Sequence, residues 1–338
     1  IFYMGINTGA FLGSLLVPLI AASRGWRVGF AVPAVCMALG LVQFLWTRRL
    51  LAGAGRDVAP ENRASWTPVV ILLALVAVVV LLAVSGAIRI DAALLGVLAS
   101  WAFALLAVAY FVYLLWFAGL SGPERRRVLV MVALFAASVT FWAGYYQQGA
   151  SFNLFAERYT ERHVFGWVMP AGVLQAVNPF FVIALAGVFA ALWLALGRRE
   201  RDPPAAAKFG VALLLLGLGF LVMYFAAQHV LAGSLVLPTW LVATYFLHTC
   251  GELCISPVGL SNMSKLVPPR FVGQAMGMWF LSLALGGNLA GQLSGQVDTT
   301  HLESLPGLFL SIFWYGAVGG AVMLCLTPFA KRLMAGVR

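Results

Sequence analysis

Ten long apolar runs constrain this chain more than any other feature. They cover residues 2–20, 28–47, 68–86, 92–117, 127–153, 167–197, 208–229, 237–257, 271–292 and 308–330. A bilayer core roughly 30 Å thick needs about 20 apolar residues to be crossed by a helix. Lipid offers the backbone no hydrogen-bond partner, so each run predicts a helix rather than an open strand. Only 9% of the residues are charged and 62% are apolar, whereas a soluble domain carries about 25% charged residues. The fold class expected is an all-α, multi-pass membrane protein.

The basic residues set the orientation. With residue 1 starting in the cytoplasm, sixteen Lys and Arg fall in cytoplasmic segments and five in outer ones (Arg24, Arg27, Arg89, Arg158 and Arg162). Positive charge gathers on the cytoplasmic side, so both chain ends are expected there. One missed or invented span would flip every later loop, so the alternation also supports the count. The net charge of +10 is thereby explained by topology, and no nucleic-acid partner is expected. Cys36, Cys250, Cys254 and Cys325 all lie in apolar runs and read as small buried residues, not as a disulfide framework. The first apolar run begins at once after Ile1, without an initiator Met, from which a parent chain extending further N-terminally is expected.

Connections at 48–67 and 118–126 divide the chain. The helical pair between them, 68–117, carries charge only at its outer turn, Arg89 and Asp91, and reads as packing material. The six spans after residue 127 form the natural bundle.

Of eleven Asp and Glu residues, ten lie in loops or at span ends. Only Glu252 sits deep in a run, within FLHTCGELCISPVGL. A membrane-embedded carboxylate costs several kcal/mol unless it is paired, hydrated or protonated, which marks it as functional by default. Its bland alternative is a structural pin between helices. His248 lies one turn earlier on the same face. It either shares a proton with Glu252 or makes a polar packing contact, and the sequence favours neither. A metal site from His248, Cys250, Glu252 and Cys254 is not expected, because alternate residues on a helix point about 200° apart.

Three further stretches stand out. FYMGINTGAFLG puts Gly5, Gly9 and Gly13 on one smooth face suited to close packing, with Tyr3 and Asn7 sharing another; the Asn7 amide suits a peptide backbone or an interhelical bond. FWAGYYQQGASFNLF contains Tyr145, Tyr146, Gln147, Gln148, Ser151 and Asn153, too polar a set to face lipid. Asn178-Pro179 is expected to break one helix, and Gly286-Gly287-Asn288 to loosen another; broken midplane helices commonly mark transporter sites, although proline kinks without a role also occur.

At these residues the chain resembles a known family. FYMGIN, FW…QQGASFNLF and, most specifically, LHTCGELCISPVGLSNMSKLVPP followed by GQAMGMWFLSLALGGNLAG are similar to the proton-dependent oligopeptide transporters. The resemblance runs from residue 2 to about 330. It implies a major facilitator fold, here partial, with residues 1–50 as the last two helices of an N-terminal bundle. Residues 66–118 would be two linker helices and 127–332 a C-terminal six-helix bundle. The family's first four helices, with an acidic-basic motif and a lysine, would not be part of this sequence. The resemblance further implies that Tyr3 and Asn7 meet the peptide from the N-terminal bundle. Asn178, Glu252, Ser256 and Trp279 would line the other half of the cavity, with Glu252 holding the peptide's amino group. Tyr146 stands where the family commonly has an acid tied to proton coupling.

The function expected is a proton-coupled symporter importing di- and tripeptides across the bacterial inner membrane. Substrate contacts would come from Tyr3, Asn7, Tyr146, Asn178, Glu252, Ser256 and Trp279, and proton coupling from Glu252 and His248. No cofactor or metal is expected besides the coupling proton, and no catalytic pair is visible. The alternatives are a symporter for another small solute, such as nitrate or an amino-acid conjugate, and a non-transporting membrane subunit. The latter predicts a relay of midplane acids and lysines, or histidine pairs for haem, which one acid and one histidine do not supply.

Overall fold

The computed structural model describes residues 2–51, 65–88, 91–164, 166–295 and 303–334. Its helices are α1 (Phe2–Arg24), α2 (Trp26–Thr47), α3 (Thr67–Val84), α4 (Ala92–Val112), α5 (Gly122–Tyr145) and α6 (Ser151–Tyr159). They continue with α7 (Val177–Arg198), α8 (Ala205–Leu231), α9 (Thr239–Lys265), α10 (Val272–Gly295) and α11 (Ser304–Leu333). Every expected span is helical over most of its length. Eight helical segments among the described residues are long and apolar enough to cross a membrane. The other two spans are α3, which is short, and α10, which is diluted by Gln274, Asn288, Gln292 and several glycines.

Several boundaries differ from the sequence reading: α9 runs on to Lys265, past the expected end at 257 and through Pro257, and three others differ for a clear local reason. The span expected at 127–153 starts earlier, at Gly122, where the Glu124 carboxylate accepts from the Ser121 backbone N–H at 2.8 Å and hydroxyl at 2.7 Å. Such a reciprocal cap fixes a helix start. The same span does not stop at 153. A 3₁₀ turn at Tyr146–Gly149 tightens it, and α6 carries on to Tyr159. The span expected from 167 starts in a two-residue strand, β2 (Trp167–Val168), paired antiparallel with β1 (His163–Val164). Its helix begins only with a 3₁₀ turn at Ala171–Ala176.

Two of the sequence's breaks are not breaks. α10 runs unbroken through Gly286-Gly287-Asn288. A side chain at Gly286 would meet Trp142 Cβ at 2.6 Å and the Val139 carbonyl at 3.0 Å, so the glycine lets α10 lie directly on α5. Asn288 turns to α4, donating to the Gly96 carbonyl at 2.6 Å and the Ser100 hydroxyl at 2.8 Å. Gln292 repeats both bonds one turn later. Pro179 sits in the first turn of α7, where the missing N–H has no helical partner to lose. The smooth face of Gly5, Gly9 and Gly13 also finds no neighbour within 4 Å among the described residues.

The core is where small residues allow close approach. α8 and α11 meet at Gly210, Gly217, Gly316 and Gly320; added side chains there would come within 3.1 Å of backbone atoms of the facing helix. α9 packs on the other side of α8, and α10 bridges α5, α9 and α4. α1 lies on α2 and on the start of α7, with Pro18 against Gly172 and Phe11 beside Phe180 at 6.2 Å. By contrast α2 and α3 are almost wholly exposed among the described residues, with Leu, Val and Phe side chains facing outward.

Candidate functional site

The site forms where the start of α7, the end of α5 and the middle of α9 converge on Glu252. α9 presents this carboxylate because Gly251 lets it lie close to α8, 3.0 Å from the Ala212 carbonyl were a side chain there. Glu252 is 7% exposed. Its Oε2 accepts from the Tyr145 hydroxyl at 2.8 Å and from Asn178 Nδ2 at 3.2 Å. Tyr145 also lies 2.9 Å from Asn178 Oδ1. Asn178 Nδ2 in turn donates to Thr249 Oγ1 at 2.8 Å, and Thr249 donates to the Tyr245 carbonyl at 2.7 Å. A buried charge is tolerated where donors converge on it, and here they come from two other helices.

Other expected residues fall around this centre in different ways. Asn7 is buried on α1, the helix laid along the start of α7. Ser256 is half-buried one turn beyond Glu252 on the same face of α9. Tyr3 lies outside the described side chains. Trp279 is buried between α8, α9 and α10, with its ring against the backbone of Gly259 and its edge toward Phe209 at 6.5 Å. Tyr146 is 38% exposed, its ring beside Trp142 at 5.5 Å, and lines an apolar cleft of about 460 Å³ with Leu283, Gly287 and Ala290.

His248 has a different setting from the one its spacing suggested. It is fully buried, and its Nε2 donates to the Leu216 carbonyl on α8 at 3.1 Å. Its ring packs on Phe220 at 5.2 Å and Phe152 at 5.7 Å. Gly219 makes room for it, since any side chain there would strike the imidazole. The sequence left two readings open, and these contacts are those of a packing residue. The polar stretch after Tyr146 also faces protein. Gln147 donates to the Ala290 carbonyl at 3.0 Å and accepts from Ser151 and Ser294 at 2.5 and 2.7 Å, tying α5 and α6 to α10. Among the described residues no group of His, Cys, Asp or Glu is gathered as a metal site.

Two members of the centre were not singled out from sequence. Tyr145 was one of six polar residues within the stretch 145–153, and the family pattern points to its neighbour Tyr146. Thr249 lies three residues before Glu252, a same-face spacing that could have flagged it.

Comparison with known proteins now carries weight. The model of the POT family matches residues 1–307. This chain belongs to the POT family. The peptide transporter YePEPT of Yersinia enterocolitica is 37% identical over 99% of this chain and 68% of its own length. Dipeptide and tripeptide permease A of Edwardsiella piscicida is 31% identical over 99% of this chain and 68% of its own. A crystal structure of a point mutant of a POT peptide transporter in complex with alafosfalin superposes with a TM-score of 0.85 at 35% identity, covering 99% of this chain and 67% of that one. The fold is therefore of the major facilitator type, and this POT chain is a membrane transporter protein, not an enzyme.

Proposed function

We propose that this chain serves proton-driven import of di- and tripeptides across a bacterial inner membrane. Both chain ends would then lie in the cytoplasm. Residues 1–50 close one bundle, 66–118 form a linker pair and 127–332 the second bundle. The observation that carries the reading is Glu252: a buried carboxylate held by Tyr145 and Asn178 from two other helices in a chain whose relatives are named as peptide transporters.

The mechanism follows from what such a group can do. As a carboxylate, Glu252 attracts a peptide ammonium, and the low dielectric of a buried site strengthens that attraction. As a neutral acid, it carries a proton through the membrane plane. Substrate and proton thus exchange on one group. Asn178 supports the carboxylate, while Asn7 and Ser256 offer the donors and acceptors that a peptide backbone needs. Trp279 stiffens the wall behind them.

The test uses the intact transporter in proteoliposomes. Glu252→Gln keeps shape and removes charge. Dipeptide binding should weaken greatly and proton-driven uptake should vanish, with the protein still inserted. Acetylating the peptide amine should cost the wild type much affinity and the variant little. The four affinities form a cycle that isolates the charge pair. Equal loss in both proteins would leave Glu252 without the amino-terminal role.

A further inference from the structure

We propose that Tyr145 is a specificity-determining residue: its hydroxyl competes with a ligand ammonium for the Glu252 carboxylate, and Asn178 Oδ1 receives that hydroxyl when the ammonium wins. This rests on the assignment of Glu252 as the amine-binding group.

The geometry is that of a two-position donor. The Tyr145 oxygen lies 2.8 Å from Glu252 Oε2 and 2.9 Å from Asn178 Oδ1. A phenol has one proton, so only one of these bonds is fully made at a time. The ring need not move between them. It is stacked on Phe141 at 5.7 Å and edged by Trp142 at 5.0 Å and Tyr146 at 5.8 Å. Rotation about the C–O bond alone redirects the proton.

Asn178 is held ready as the second acceptor. The Thr249 hydroxyl spends its proton on the Tyr245 carbonyl at 2.7 Å, so toward Asn178 it can only accept. That obliges Asn178 to present Nδ2 to Thr249, at 2.8 Å, and hence Oδ1 to Tyr145. Thr249, with the longer Nδ2 bond to Glu252 at 3.2 Å, thus fixes the amide's orientation from α9. A cation approaching Glu252 displaces the phenol's hydrogen bond but does not strand it. A ligand with a blocked amine has no charge with which to displace it.

Two variants test this with binding of dialanine and N-acetyl-dialanine to the intact transporter. The readout is the ratio of the two dissociation constants, blocked over free. Tyr145→Phe keeps the ring and removes the competitor. Hydrogen bonds to charged groups have net strengths that translate into about tenfold, so the ratio should rise by that order. Thr249→Val keeps the volume and leaves the Asn178 amide held by its longer Nδ2 bond to Glu252 at 3.2 Å, for which an arriving ammonium competes, so Oδ1 is no longer fixed toward Tyr145. The ratio should then fall several-fold. A purely structural tyrosine would weaken both ligands alike, leaving the ratio unchanged. An unchanged ratio in Tyr145→Phe, a lowered one, or a raised one in Thr249→Val overturns the proposal. If the wild type shows no preference for the free amine, the assignment of Glu252 fails and this proposal with it. If the preference is present and abolished by Glu252→Gln while the two variants do nothing, only the role of Tyr145 fails.

Discussion

A carboxylate inside a membrane protein is costly by several kcal/mol unless partners compensate it, and at Glu252 the partners include an amide and a phenol. Asn178 links two members of the centre, donating to both Glu252 and Thr249. Asn178→Ala should therefore lower dipeptide uptake about tenfold or more, since a buried group left unsatisfied costs about 1–3 kcal/mol. Uptake per inserted protein checks this, and wild-type rates would show that the amide is dispensable. Tyr146 gives the opposite expectation. A phenol titrates near pH 10, about three units above neutrality, and cannot cycle protons as a carboxylate does. Tyr146→Phe should leave the pH dependence of uptake in place; a shifted optimum would put the phenol in the proton route. Glu252 was legible in the sequence because it is the one acid far from any loop. Its partners were less so, since an apolar run does not say which of two adjacent tyrosines, both still in the α-helical register of α5, faces α9. His248 stayed open between two readings for the converse reason: sharing a face at i, i+4 does not fix where a long side chain points, and Gly219 opens a berth for it on α8.

At the scale of elements, apolar run length located the helices and local chemistry altered their ends. The hairpin at 163–168 was unreadable as strand because Trp167 and Val168 continue the apolar run of α7 without a polar gap. Glycine was the least legible signal. The same residue that suggests a break in a helix also permits the closest helix contact, and only the neighbour decides. Gly259 and Gly273 separate the two cases. A side chain at Gly259 would run into the Trp279 ring, whereas Gly273 has nothing within 4 Å. Gly259→Ala should destabilise by about 1–3 kcal/mol, the usual cost of overpacking, and lower the thermal midpoint in detergent. Gly273→Ala should leave it level or raise it, as Ala favours helix. Equal midpoints for the two would mean that α9 and α10 are not packed through Gly259. On the hairpin of β1 and β2, the Glu161 carboxyl is held below the usual carboxylate range, first by the His163 backbone N–H and then by its imidazole. Any stabilisation from this pair is present above the ordinary carboxylate pKa and lost as pH falls through the lowered one. Glu161 therefore stays charged near neutrality, and Glu161→Gln should not move the pH optimum of uptake.

For the whole molecule, the expected alternation of the loops finds an independent check in the fold. Residues 118–126 and 258–270 were both assigned to the cytoplasmic side, and Arg270 donates to the Ala118 carbonyl at 3.0 Å. Residues 154–166 and 230–236 were both assigned outside. There Thr160 bridges Val236, with the Glu161 N–H on the Val236 carbonyl at 2.8 Å. A wrong span count between either pair would have put partners on opposite faces of the bilayer. Which face is cytoplasmic is a separate matter, resting on the placement of Lys and Arg. Cysteine labelling decides it. Ser65 and Ser234 are exposed in loops assigned to opposite sides, and changing either to Cys disturbs little. Among the described residues Ser65 bonds locally with the Thr67 hydroxyl and N–H, and Ser234 donates to the His229 carbonyl. The four native cysteines are first replaced by serine or alanine, because Cys36 and Cys325 are exposed. In intact cells an impermeant maleimide should then label Ser234→Cys and spare Ser65→Cys until the membrane is opened. The reverse pattern would invert the protein, place Glu161 and the hairpin inside, and require the arginine-rich loops to have crossed the membrane. Labelling of both from outside would break the parity of the spans between them, contradicting the helix order as well as the orientation.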